Sequence, residues 1–260
     1  MQRYVSNELT HFVGRNERDN DARYSLLATI LSSGCLKPPS TDTGIWIKGG
    51  RSFSDNDTVI TGVVCFCDIP VNDLEIHYRK FSRFGLAFRK NFLVPKGASP
   101  VFYVAKDSLF SKDGGKKPRA EVFDDMFRSY DSLKINYLQT HKDQSDIFFK
   151  KMEEAQAKGV EIDPEDAMQS FRRFQMLNTL MPLSIQLDKH ILSFIKFFDS
   201  SKDEHETEHF YMEREWRVLG EVRFDVTDVH RIILPEDYRQ QFGKDFSHYI
   251  GERKFVPDSE

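Results

Sequence analysis

Apolar and polar positions alternate near both ends of the chain and recur at helical spacing near residue 30 and through the middle. LTHFVGR (9–15) reads as a short first strand. ARYSLLATILSSGCL (22–36) places Leu26, Leu27, Ile30 and Leu31 on one helical stripe, and Gly34 follows as a stop. VITGVVCFCDIP (59–70) is strongly β and ends at Pro70; FGLAF (84–88) and PVFYVA (100–105) are further short strands. SKDGGKKPR (111–119) reads as a flexible turn.

From about Ala120 to Phe198 the pattern is helical and highly charged. One helix ends at Gly159. The next begins with Asp163 as N-cap and Pro164 at its first position, and LSIQLDKHILSFIKFF continues helically beyond Pro182. This predicts a helical insertion over approximately 120–200 within a β-rich frame. YMEREWRV and HRIILP (230–235) read as late strands and EDYRQQFG as a terminal helix. The expectation is an α+β fold in one domain, residues 1–260, with a central mixed or antiparallel sheet in which the first and late strands are neighbours. No glycine-rich phosphate loop and no regular βαβ alternation occurs, which argues against a doubly wound nucleotide fold.

Composition narrows this. The chain has 260 residues, 23 of them Phe, so material for a real core is present. A formal net charge of −4 gives no global basic field for nucleic acid. No apolar run reaches membrane-spanning length, and MQRYVSNELTH lacks the apolar stretch of a signal peptide. The three cysteines, Cys35, Cys65 and Cys67, lack zinc-site spacing and read as small core residues of a cytoplasmic protein. No metal is expected.

HFYMEREWRV (209–218) carries the clearest candidate chemistry. On a regular strand, Phe210, Met212, Trp216 and Val218 face a core, with Arg214 the odd member. Tyr211, Glu213, Glu215 and Arg217 share the other face. That spacing sets the two carboxylates about 7 Å apart along the strand. The face is either solvated or the floor of an active site.

YVSNELTHFVGR, ILSSGCL, VVCFCDIP, FGLAF, PVFYVA and YMEREWRV, taken in order from Tyr4 to Val218, resemble the AbiGi family of abortive phage-infection proteins. The resemblance implies phage defence, and the family's antitoxin label implies a cognate toxin or antitoxin protein as partner. More weakly, an early His strand, a helix ending in IL..G.L and a late Glu strand are similar to ADP-ribosyltransferases, including the DarT type. That likeness implies NAD as co-substrate, with an early His holding its ribose or phosphates and a late Glu supporting transfer to a macromolecule such as RNA or DNA. His11 matches the early position, and Glu213 and Glu215 have the paired-glutamate spacing of some members. The long helical middle and the CFCDIP strand depart from the DarT pattern.

On this reading Glu215 is the catalytic carboxylate and Glu213 its helper. His11, Arg15 and Tyr4 hold NAD; Arg15 offers a guanidinium fork to a pyrophosphate. A structural His, an exposed Arg and an ordinary surface Glu–Arg pair are the plain alternatives. A basic stretch, HYRKFSRFGLAFRKNFLVPKG (77–97), interleaves cations with aromatics and contains no acid. Arg79, Lys80 and Arg83 are its candidate nucleic-acid contacts, although most of its aromatics read as core. A non-enzymatic antitoxin or sensor that binds a toxin is the competing reading.

Overall fold

In the computed structural model, residues 6–39, 46–47, 52–56, 59–60, 62–112, 115–159, 161, 163–203, 206 and 210–257 are described. Tyr4 lies outside them. The chain runs through β1 (Glu8–Phe12), α1 (Asn20–Ser33), β2 (Cys35–Leu36), β3 (Trp46–Ile47), β4 (Val59–Ile60), β5 (Val63–Cys67) and α2 (Glu75–Lys80). Next come β6 (Gly85–Arg89), α3 (Lys90–Leu93), β7 (Ser99–Pro100), β8 (Phe102–Ala105), β9 (Leu109–Lys112) and β10 (Gly115–Pro118). Two long helices follow, α4 (Arg119–Lys158) and α5 (Pro164–His190), then β11 (Ile195–Phe198) and β12 (Glu215–Leu219). The chain continues with β13 (Val222–Arg223), β14 (Val229–Pro235), α6 (Arg239–Asp245) and β15 (Glu252–Val256).

The main sheet has the order β15–β14–β6–β1–β5–β12–β7 and is antiparallel except for the β14–β15 pair. The α+β class and a mainly antiparallel sheet therefore agree with the sequence reading. The first and late strands share this sheet, but β5 separates β1 from β12 and β6 separates β1 from β14. One face of the sheet buries Val64, Phe66, Phe88, Val218 and Ile232 against Leu27 of α1 and Phe242 of α6. The alternate residues Cys65, Cys67, Glu215 and Arg217 thus fall on the opposite face, as period-2 alternation requires.

Helix α1 starts where the Asp19 carboxylate accepts from the Ala22 amide at 2.8 Å and stops at Gly34, which has φ 60°. A Cβ at Gly34 would stand 2.4 Å from the Phe224 carbonyl oxygen, so glycine is required there by both conformation and space. The segment read as helical to residue 36 leaves the helix here, because Cys35 and Leu36 pair with β13.

The helical middle is an antiparallel hairpin of α4 and α5. The Asp163 side chain caps α5 with Pro164 at its first position, and the helix runs through Pro182 to His190. Tyr130 Oη donates to Asp188 Oδ1 at 2.9 Å, and Lys134 Nζ meets Asp188 Oδ2 at 3.1 Å, tying the two helices together. The expected helix does not extend to Phe198. After Ile191 the chain turns, and Ile195–Phe198 becomes β11, parallel to β8. Ile195 and Phe197 pack with Phe53, Phe127 and Leu192 while Lys196 between them meets the two glutamates, the two-sided arrangement of a strand. A final strand, β15, follows the expected terminal helix and pairs with β14.

Candidate functional site

The stretch HFYMEREWRV is not one regular strand. Phe210–Glu213 forms a single turn of 3-10 helix, Arg214 takes the left-handed conformation with φ 44°, and β12 starts at Glu215. A non-glycine residue there costs roughly 1–2 kcal/mol. This bend replaces the expected spacing along a strand. It brings the Glu213 and Glu215 carboxylates onto one amine, the Nζ of Lys196 on β11.

Around that amine is a buried chain of charge. Glu213 Oε1 also meets Lys80 Nζ at 2.7 Å, and Glu215 Oε1 accepts from Arg217 Nε at 2.7 Å. The Arg217 guanidinium donates as well to the Ser193 carbonyl. The Phe210 ring lies 4.2 Å from Lys80 Nζ and 5.1 Å from Lys196 Nζ, a cation–π platform under both amines. Tyr103 Oη accepts from the Glu215 amide at 2.7 Å. Lys80, Lys196 and Arg217 thus face Glu213 and Glu215.

Burial alone raises the Glu215 carboxyl, but Arg217 and Lys196 outweigh it and hold it well below the usual carboxylate range. Burial opposes charge on Lys196 too, yet Glu215 and Glu213 lift it above its ordinary value. Both groups are therefore charged at neutral pH. A carboxylate held this strongly ionised is a poor proton acceptor and a durable fixed charge.

Lys196, Glu213, Glu215 and Arg217 of this chain line a cleft of about 650 Å³, together with His11, Arg15, Lys37, Asn56 and Cys65. The cleft borders the junction of β1 and β5, strands that share only the register pair Thr10–Cys67. Next to that pair, His11 Nδ1 contacts the Cys65 carbonyl at 2.8 Å. Desolvation lowers the His11 pKa, so the ring is neutral, with Nδ1–H donating and Nε2 left as an acceptor. Arg15 follows the end of β1, exposed, with its guanidinium 5.5 Å from the Phe81 ring. Cys65 is not the core residue expected; it is exposed at the cleft floor. Desolvation there, with Glu215 beside it, raises its thiol pKa, so it is no thiolate.

The structure thus gathers His11, Arg15, Glu213 and Glu215 around one cleft. Sequence reasoning missed Lys196 as a participant and read Arg217 only as a flanking guanidinium. Lys196 sits in a segment whose apolar run resembled a helix. A lone Lys within IKFF, a buried-looking β run, was the available signal, since such a cation needs a partner.

The basic stretch divides. Lys80 is buried against Glu213 rather than displayed with its neighbours. Arg79 is exposed and meets Glu75 at 3.2 Å. Arg79 and Arg83 line a separate hollow of about 350 Å³ with Arg23, Tyr78 and Phe81. Phe84 and Phe88 are fully buried, as core aromatics should be. Among the described residues no group of three or more His, Cys, Asp or Glu converges on a metal-sized site. No helix among them is long and apolar enough to cross a membrane.

Residues 53–249, about three quarters of the chain, match the family model described as "Putative abortive phage resistance protein AbiGi, antitoxin". The chain belongs to the AbiGi family. Membership implies abortive-infection phage defence and carries the antitoxin label, which points to a toxin as partner. No curated protein and no solved structure matches the chain. The family match spans β5, the basic stretch, Lys196 and both glutamates; His11 and Arg15 precede it.

Proposed function

We propose that this AbiGi protein is an ADP-ribosyltransferase-like enzyme of abortive infection that uses NAD to modify a macromolecule, RNA or DNA being the favoured acceptors. One observation carries the reading: His11 on β1 and Glu215 on β12 border a single cleft across β5. A volume of about 650 Å³ falls within the range of small-molecule and cofactor sites. Arg15 and Lys37 suit a pyrophosphate, and the His11 Nε2 lone pair suits a ribose hydroxyl.

In such a transfer the bond from ribose C1 to nicotinamide breaks, nicotinamide leaves as a neutral base, and the acceptor oxygen or nitrogen bonds to C1 and loses its proton. Positive charge grows on the ribose ring. Glu215, held ionised, is the fixed negative charge that favours it. Glu213, tied to Lys80 and Lys196, sets the Lys196 amine in place. Both Glu215 oxygens are already engaged, so its role is electrostatic rather than proton abstraction.

The same engagement favours a second reading, a non-enzymatic antitoxin in which the charge chain only holds the fold and a toxin is the ligand. The test uses purified protein with labelled NAD and total cellular RNA, DNA and protein as acceptors. Glu215→Gln should lower transfer by roughly a hundredfold, the loss expected for one electrostatic stabiliser of a transition state. NAD should raise the melting temperature, and His11→Ala should weaken that rise. No shift at millimolar NAD, with tight binding to a toxin, would establish the second reading instead.

A further inference from the structure

The hollow of about 350 Å³ between the start of α1 and the segment after α2 is lined by three arginines, Arg23, Arg79 and Arg83, and by no carboxylate. Arg23 is its fixed member. The Arg23 Nε donates to the Gly14 carbonyl at 3.1 Å, one terminal nitrogen to Asn20 Oδ1 at 2.9 Å and the other to the Glu17 carbonyl at 3.2 Å. All three acceptors are neutral. They hold the half-buried guanidinium in place without cancelling its charge, and they use three of its five N–H groups. Gly14, at φ 81°, lets the loop close over it, since a Cβ there would stand 2.7 Å from Arg23 Cγ. A cation held this way is completed by an anion, and the remaining N–H groups of a planar fork suit a phosphate.

The acids of the flanking helices do not supply that anion. Asp19 caps α1 at the Ala22 amide, and Asp21 accepts from Tyr238 Oη. Glu75 meets Arg79 at 3.2 Å, but both side chains are exposed, and such a pair is worth little and yields to a stronger anion.

The hollow adjoins the cleft. Phe81 lines both, and the Arg15 guanidinium on the cleft side lies 5.5 Å from its ring. Cations on either side of an aromatic ring suit a single-stranded nucleic acid, whose phosphates meet the charges while a base meets the ring.

We propose that the hollow holds a backbone phosphate of a single-stranded nucleic acid, and that the next nucleotide of the strand crosses Phe81 into the cleft. The role of that nucleotide as acceptor rests on the transfer reading above; the phosphate site does not.

The experiment measures binding of labelled RNA and DNA single strands of about 12 nucleotides to the full chain, at about 50 mM salt with NAD absent. Binding is expected, and Arg79→Glu and Arg83→Glu should each weaken it by at least about tenfold. Lys158→Glu makes the same charge change at the far end of the 40-residue helix α4 and should cost less than about twofold. Circular dichroism checks that each variant folds, and Arg79 is exposed, so its variant keeps the test decisive if Arg83→Glu does not fold. A parent chain that binds neither strand at about 100 μM would overturn the proposal, as would equal losses in all three variants, no loss in the folded arginine variants, or equally tight binding of a strand with an uncharged methylphosphonate backbone. The pyrophosphate of NAD is the other source of phosphate. If Arg83→Glu or Arg79→Glu abolishes the rise in melting temperature caused by NAD and leaves strand binding intact, the hollow serves NAD and the proposal falls. Strand binding with the expected losses but no NAD shift would instead refute the transfer reading and leave this site standing.

Discussion

Lys196→Met removes the one amine that both site carboxylates share. Met keeps most of the side-chain volume and leaves the backbone of β11 free to pair with β8. Each carboxylate retains one cation, Glu213 keeping Lys80 and Glu215 keeping Arg217, both at 2.7 Å. The cost should therefore lie at the low end of the 3–5 kcal/mol seen when a buried ion pair is broken, about 3 kcal/mol. For a chain of this size that is a fall in melting temperature of about 6–12 °C. The pH dependence follows from the same pairing. Glu215 is depressed in the folded protein, so its contribution is complete above the ordinary carboxylate pKa and is lost as pH falls through the folded value. Without Lys196 the folded value rises, and the loss begins at higher pH. Urea unfolding at pH 7 and at pH 5 measures both effects, and a double-mutant cycle with Glu215→Gln isolates the pair, for which a coupling above about 1.5 kcal/mol is expected. A single-variant cost below about 1 kcal/mol, with coupling under about 0.5 kcal/mol, would refute the claim that Lys196 holds the cluster together.

Further outcomes follow from residues near the cleft. His77 is buried between Phe12 and Phe81, neither ring nitrogen has a hydrogen-bond partner, and desolvation lowers its pKa to about 4 despite the Glu213 charge that opposes this. Its protonation in the unfolded chain should destabilise the fold as pH drops below 6.5, by about 2 kcal/mol at pH 5 and about 3 kcal/mol below pH 4; His77→Phe should abolish that slope in urea titrations, and an unchanged slope would acquit His77. If Arg79 and Arg83 contact phosphates, replacing both with Gln should flatten the salt dependence of RNA or single-stranded DNA binding by up to about two phosphate equivalents, and an identical slope would end that role. Lys80→Gln should instead lower stability, because its amine is buried on Glu213.

Local chemistry explains which parts of the fold were legible. The Asp163–Pro164 start of α5, the Gly34 and Gly159 stops and the apolar β-forming run VVCFC each depend on a few neighbouring residues, so they could be read in place. β15 was missed because ERKFV is mostly exposed and gains strand character only from β14 beside it. IKFF was assigned to a helix because four residues at the end of an apolar run do not distinguish the two periods; its contacts with β8 and Phe53 decide the matter, and they are distant in sequence. At the site, the paired glutamates were visible but their geometry was not. The left-handed Arg214 breaks the strand between them, and Arg has no intrinsic preference for that conformation.

The insertion and the cleft are connected through the chain itself. α5 leads directly into β11, so the hairpin delivers Lys196 to the two glutamates. Asn56 fixes that delivery, its Oδ1 accepting from the Phe197 amide at 2.9 Å. Stability alone is a weak reason for this arrangement, because well-packed apolar residues usually replace a buried ion cluster at no loss, and a chain with 23 Phe has such residues to spare. The cluster lies where the fold opens to solvent, not deep in the main core. A purely structural network would need no such opening. An anionic ligand requires it of its floor: cations it can reach, and carboxylates that hold those cations in fixed positions.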